Sequence, residues 1–125
     1  MGKSKMKRLQ ELCHKIAVDK GFWGFICPAY QSRGRIIKNC AICGGKRYYG
    51  EDRNDGELIA LMHSELSEAL EDLRHGKHDH VGEELADCVI RVMDFCEARG
   101  IDLEKEILKK VKKNKKRKYR HGKKF

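Results

Sequence analysis

Proline appears once in this chain of 125 residues. No long stretch is dominated by valine, isoleucine or threonine. Together these shortages argue against a sheet protein and for helices. No apolar run approaches the roughly 20 residues that cross a bilayer. The basic N-terminus MGKSKMKRLQ is not followed by the apolar core of a signal peptide. The expectation is a soluble cytoplasmic protein with no membrane partner. A 40% hydrophobic content supports one modest core, so residues 1–125 are read as a single domain.

Acidic residues are nearly missing from the C-terminal end. Residues 105–125 hold twelve Lys or Arg and one acid, Glu106, a net +11. The whole chain carries +9, so the remainder is close to neutral at −2. The basicity belongs to a tail, residues 112–125, and to the helix that leads into it. Such a run suits polyanions, nucleic acid or nucleotide phosphates, or else is a solvated helix end that favours solubility. Six cysteines are present. Without a signal sequence, and with Cys88 and Cys96 on the apolar side of a predicted helix, they read as thiols in a reducing compartment.

The periodicity predicts four helices. The first runs from about Ser4 to Lys20, with Leu9, Leu12, Cys13, Ile16 and Ala17 as its stripe and Gly21 as its stop. The second follows a cap at Asn54 or Asp55 and ends near His75-Gly76. The third spans about Asp79 to Arg99, with Val81, Leu85, Cys88, Val92 and Phe95 facing inward. The fourth starts after Asp102 and carries Leu103, Ile107, Leu108 and Val111. Residues 24–52 form a Gly-rich insert in which Tyr30, Ile36, Ile37, Tyr48 and Tyr49 suit short strands. The fold class is therefore all-α: a four-helix bundle with an irregular, cysteine-containing insert between helices one and two.

The segment LMHSELSEALEDL, residues 61–73, has carboxylates where a core is expected. On a helical wheel Leu58, Leu61, Met62, Leu66, Ala69 and Leu73 define the buried arc of helix two. Glu65 and Asp72 fall inside that arc, and Glu68 borders it. On helix three Glu84 borders the apolar arc and Asp87 lies one step further round. Each pair is i, i+3 and so shares a side of its helix. A short connection makes the two helices antiparallel, which brings the pairs together. Four converging carboxylates need a cation, and all-oxygen ligands suit Mg²⁺ or Mn²⁺. The plain alternative is a charged rim, with Glu71, Asp72, Glu83 and Asp94 simply solvated.

At these residues the sequence resembles the MazG-like all-α nucleoside triphosphate pyrophosphohydrolases. The resemblance rests on AVDKGFW, RNDGELIALMHSELSEALEDLRHGK, GEELADCVIRVMDFCEARGIDL and the ending KKVKKNKKRKYRHGKKF. It implies Mg²⁺-dependent cleavage of an NTP or dNTP between the α and β phosphates, giving a monophosphate and pyrophosphate. The family pattern EExxE, spacer, ExxD assigns metal and catalytic roles to Glu65, Glu68, Glu84 and Asp87. Ser64 stands where the first acid of that pattern belongs, which leaves the number of metal ions open. The resemblance further places His14 and Trp23 against the base. It puts Lys110, Asn114 and, with them, Arg117 near phosphates or sugar. It also implies a homo-oligomer, a dimer or tetramer, consistent with a short bundle that has little core of its own.

The insert departs from the family, in which this segment is short. Cys27 and the CxxC of Cys40 and Cys43, followed by two glycines, resemble part of a zinc knuckle. A structural Zn²⁺ takes four ligands, so Cys13, His14 or another chain would have to complete it. The rival function is a zinc-stabilised nucleic-acid-binding module that uses the basic tail. A third is a family member that binds nucleotide without turnover.

Overall fold

The computed structural model describes residues 2–23 and 54–124. Among these are four α-helices and no strand: α1 Lys5–Asp19, α2 Asp55–Arg74, α3 His78–Ala98 and α4 Leu103–Lys115. A short 3₁₀ turn, Tyr119–Gly122, follows. No described helix is long and apolar enough to cross a membrane. The predicted strands of residues 24–52 lie outside the described residues.

Local chemistry sets the helix ends. Ser4, Asn54 and Asp102 each accept a hydrogen bond from the backbone N–H three residues on, at Lys7, Glu57 and Lys105. Of the two candidate caps for α2, Asn54 is the one used. α3 starts without a side-chain cap, since Lys77 has no acceptor to offer. Its start is set instead by the end of α2. There the Lys77 N–H reaches the Asp72 carbonyl at 2.8 Å and the Gly76 N–H reaches that of Leu73 at 3.2 Å. This pair of bonds reverses the chain only if Gly76 is left-handed, and its φ is 70°. Gly100 repeats the device after α3, at φ 69°.

Three residues therefore separate α2 from α3, and the helices run antiparallel. Residue pairs across them keep a constant register: Asp55 with Arg99, and Glu65 with Arg91. α1 also packs on α3, with Gln10 opposite Glu97 and His14 opposite Asp94. α3 is the shared partner of α1 and α2, while α4 touches mainly α1. The Ser4 hydroxyl donates to Glu104 across that last contact.

The apolar stripes are only partly covered. Leu58, Ala69, Cys13, Met93 and Cys96 are buried. Leu66 and Leu73 of α2, Leu85 of α3, and Leu9, Leu12 and Ile16 of α1 remain 45–50% exposed. The wheel put all six inside. α2 packs on α3 alone, α1 adds only a light contact with α4, and α3 itself is covered by just two helices, so part of each stripe finds nothing to pack against. Cys88 is half-buried rather than buried.

Candidate functional site

The α2–α3 hairpin brings the acids together. Carboxylate oxygens of Glu65, Glu84 and Asp87 lie within 4.8 Å of one another. Glu65 is buried, Glu84 half-buried and Asp87 exposed. Glu68 joins by a hydrogen bond with the Glu84 carboxyl. Ser64 takes no part, because its hydroxyl donates to the Leu61 carbonyl one turn back at 2.6 Å.

Loss of water around Glu84 raises its pKa most. The hydrogen bond with Glu68 and the charges of Glu68, Asp72 and Glu65 raise it further, from an ordinary 4.5 to about 7. Such a cluster carries an excess of negative charge. Its donors are all carboxylate oxygens, which fits a hard divalent cation. The Glu84 proton has a consequence for stability. Between pH 4.5 and 7 the folded protein holds a proton that the unfolded chain releases. The contribution of this group to metal-free stability is therefore full below that window and is lost as pH rises through it. Thermal melts of metal-free protein from pH 5 to 8 are expected to show this decline. Glu84→Gln should flatten it, and an unchanged slope in that variant would assign the decline to other groups.

Two participating residues escape sequence reasoning. Arg91 donates from Nε to Glu65 Oε1 at 2.6 Å, so the buried carboxylate already has a counterion. Asp94, a candidate for plain solvation, is 8% exposed. Its Oδ1 lies 2.8 Å from the Trp23 indole Nε1 and 2.8 Å from His14 Nδ1. A signal for both does exist in the helical spacing. Asp87, Arg91 and Asp94 stand at i, i+4, i+7 and form one charged row on α3.

A cleft of about 290 Å³ opens between α1 and α3 beside the acids. Glu65, Asp87, Arg91, Asp94 and Lys20 supply its polar wall, and Cys13, Ile16, Ala17, Phe22 and Ile90 its apolar one. Burial, with the charge of Asp94 adding to it, pushes the Cys13 thiol up, so this cysteine is protonated and unreactive here. His14 and Trp23 face each other edge-on, with ring centroids 5.4 Å apart. They line a second, smaller cavity with Val18, Ala98 and Arg99. The Arg99 guanidinium sits 5.7 Å from the centre of the indole ring.

The remaining expected residues are not gathered here. Lys110 and Asn114 lie on the exposed α4, and Arg117 follows it, with its guanidinium 2.9 Å from His121 Nδ1. None of the three lines the acid-bearing cleft. Lys110 belongs instead to a shallow concavity with Glu106, Lys109, Lys112, Lys113 and Lys116. Cys27, Cys40 and Cys43 lie outside the described residues.

No curated protein and no solved structure matches the chain. One family model does, over residues 53–121, which include α2, α3 and α4: the MazG nucleotide pyrophosphohydrolase domain.

Proposed function

Because the chain belongs to the MazG nucleotide pyrophosphohydrolase domain family, we propose that it cleaves a nucleoside triphosphate, NTP or dNTP, between the α and β phosphates. The products are a monophosphate and pyrophosphate, and the role is control of the nucleotide pool. The observation that carries the reading is the convergence of Glu65, Glu84 and Asp87, with Glu68 bonded to Glu84.

In this reading Glu65, Glu68, Glu84 and Asp87 hold Mg²⁺ or Mn²⁺. The bound cation supplies charge neutralisation for the phosphates and lowers the pKa of water. One carboxylate of the group orients the attacking water toward the α phosphorus and takes up its proton. Arg91 pairs with Glu65 and fixes its direction. Lys20 and Arg91 line the cleft beside the acids and suit phosphate oxygens. The apolar wall of Ile16, Phe22 and Ile90 excludes water from the bound nucleoside. His14 and Trp23 contact the base, and Lys110, Asn114 and Arg117, which lie outside the acid-bearing cleft of this chain, are assigned to phosphate or sugar by the family resemblance alone.

The half-exposed leucines of α1, α2 and α3 support a homo-oligomer, in which a second copy covers them. Residues 1–125 act as one domain in the cytoplasm. Zn²⁺ on Cys27, Cys40 and Cys43 would brace the insert.

A second reading, nucleic-acid binding, draws support from α4. Lys109, Lys112, Lys113 and Lys116 line one concavity and make no ion pair with a carboxylate among the described residues. One panel separates the two. Ribo- and deoxynucleoside triphosphates are assayed for pyrophosphate release with Mg²⁺ and with EDTA. Metal-dependent release of monophosphate and pyrophosphate is the expected result. No release from any triphosphate, together with salt-sensitive binding of DNA or RNA, would replace the enzyme reading with the second.

A further inference from the structure

The surface of α4 is divided by charge. On a helical wheel Lys109, Lys112, Lys113 and Lys116 fall within an arc of about 100°. Leu103, Ile107 and Val111 take the opposite side. Glu104, on that same apolar side, receives the Ser4 hydroxyl from the start of α1, so this is the side turned to the bundle. The four lysines line a shallow concavity of about 440 Å³, and Glu106 is the only acid lining it. All four are exposed, and none has a carboxylate partner among the described residues. None lines the acid-bearing cleft. Cations held this close repel one another, and a row of phosphates laid along them relieves that repulsion.

A second observation lies just beyond the helix. Tyr119 opens the 3₁₀ turn, three residues after Lys116, and is 87% exposed. The Arg120 guanidinium stands 5.7 Å from the centre of its ring and leaves the other face to solvent. A basic concavity followed by an open aromatic ring is the combination that holds single strands: the lysines track phosphates while the ring stacks on an unpaired base. In a duplex the bases are already stacked inside, and Tyr119 has none to meet. A lipid surface needs the apolar side of α4, which is turned to the bundle and carries no aromatic residue. We propose that Lys109, Lys112, Lys113, Lys116 and Tyr119 bind single-stranded nucleic acid, whatever its sequence. The strand is a further ligand of this chain and does not replace a triphosphate at the acids. The inference therefore does not rest on the pyrophosphohydrolase reading.

The test uses a fluorescently labelled oligothymidylate, with an oligouridylate and a duplex DNA of equal length beside it. Anisotropy is read as salt rises from about 50 to 200 mM, the range over which phosphate contacts are lost. Replacing the four lysines together by Gln should make the slope of log K against log salt shallower by about 2–3, at roughly 0.7 per phosphate contact. Tyr119→Ala should weaken both single strands about tenfold, the scale of one lost base stack, and leave the duplex and the salt slope unchanged. All five side chains are exposed, so both variants should fold. Pyrophosphate release by the lysine variant should match wild type, which scores the cleft and this surface apart. A lysine variant that keeps the wild-type slope, or a Tyr119→Ala protein that binds the single strands as wild type does, would overturn the proposal. So would binding to phosphatidylserine vesicles with none to either strand, which would give the face to a membrane. No turnover of any triphosphate would remove the enzyme reading and leave this one standing.

Discussion

Glu68→Gln is expected to lower pyrophosphate release by about 10²- to 10⁴-fold, the usual scale for losing a group that acts on a proton in the transition state. Glu68 is exposed, and glutamine keeps its shape, so the fold should survive. Two effects act together. The substitution removes one negative oxygen donor from the set proposed to hold the cation. It also removes the carboxylate that shares a hydrogen bond with Glu84 and helps to raise that pKa. Calorimetric Mg²⁺ titration should show weaker binding in parallel with the lost rate. A variant that binds Mg²⁺ as wild type and turns over within threefold of it would take Glu68 out of the site.

Arg91→Met is expected to destabilise the metal-free protein by about 2 kcal/mol. Removing one partner of a fully buried ion pair costs about 3–5 kcal/mol. The Arg91 side chain is 37% exposed, against 9% for Glu65, so water screens part of that cost. Methionine keeps much of the arginine's bulk and takes away its charge. Glu65 is then left buried among Glu84 and Asp87 with no cation. Mg²⁺ should recover most of the loss, because a ligand bound only by the folded state adds stability by mass action. Urea denaturation of both proteins, with and without Mg²⁺, measures this. An equal loss under both conditions would mean that Arg91 acts by packing alone.

Both predictions turn on a contact that joins two helices, and there the sequence is least explicit. Glu65 was legible as an oddity, since a carboxylate inside an apolar arc stands out at helical spacing. The i, i+3 pairing of Glu84 with Asp87 was legible for the same reason, and the short turn at Gly76 made the convergence arguable in advance. Arg91 and Asp94 were legible only as a charged row with Asp87. Such a row does not say whether it faces water or a neighbour. The stripes erred in the opposite direction. Leu66, Leu73 and Leu85 read as core but stay half-exposed, because periodicity reports which side of a helix is apolar and not how many partners cover it.

The sequence by itself determined the helices and their ends. Caps at Ser4, Asn54 and Asp102 and left-handed glycines at 76 and 100 act within a few residues of chain. It likewise determined the acidic pairs and the basic end, which are matters of composition and spacing. The tertiary structure alone decided that α3 is shared between α1 and α2, that Arg91 neutralises Glu65, and that Asp94 holds His14 and Trp23. The physical reason is range. Capping and periodicity are set by neighbours along the chain, whereas a buried carboxylate is tolerated only where another helix, 26 to 80 residues away in sequence, brings the group that satisfies it.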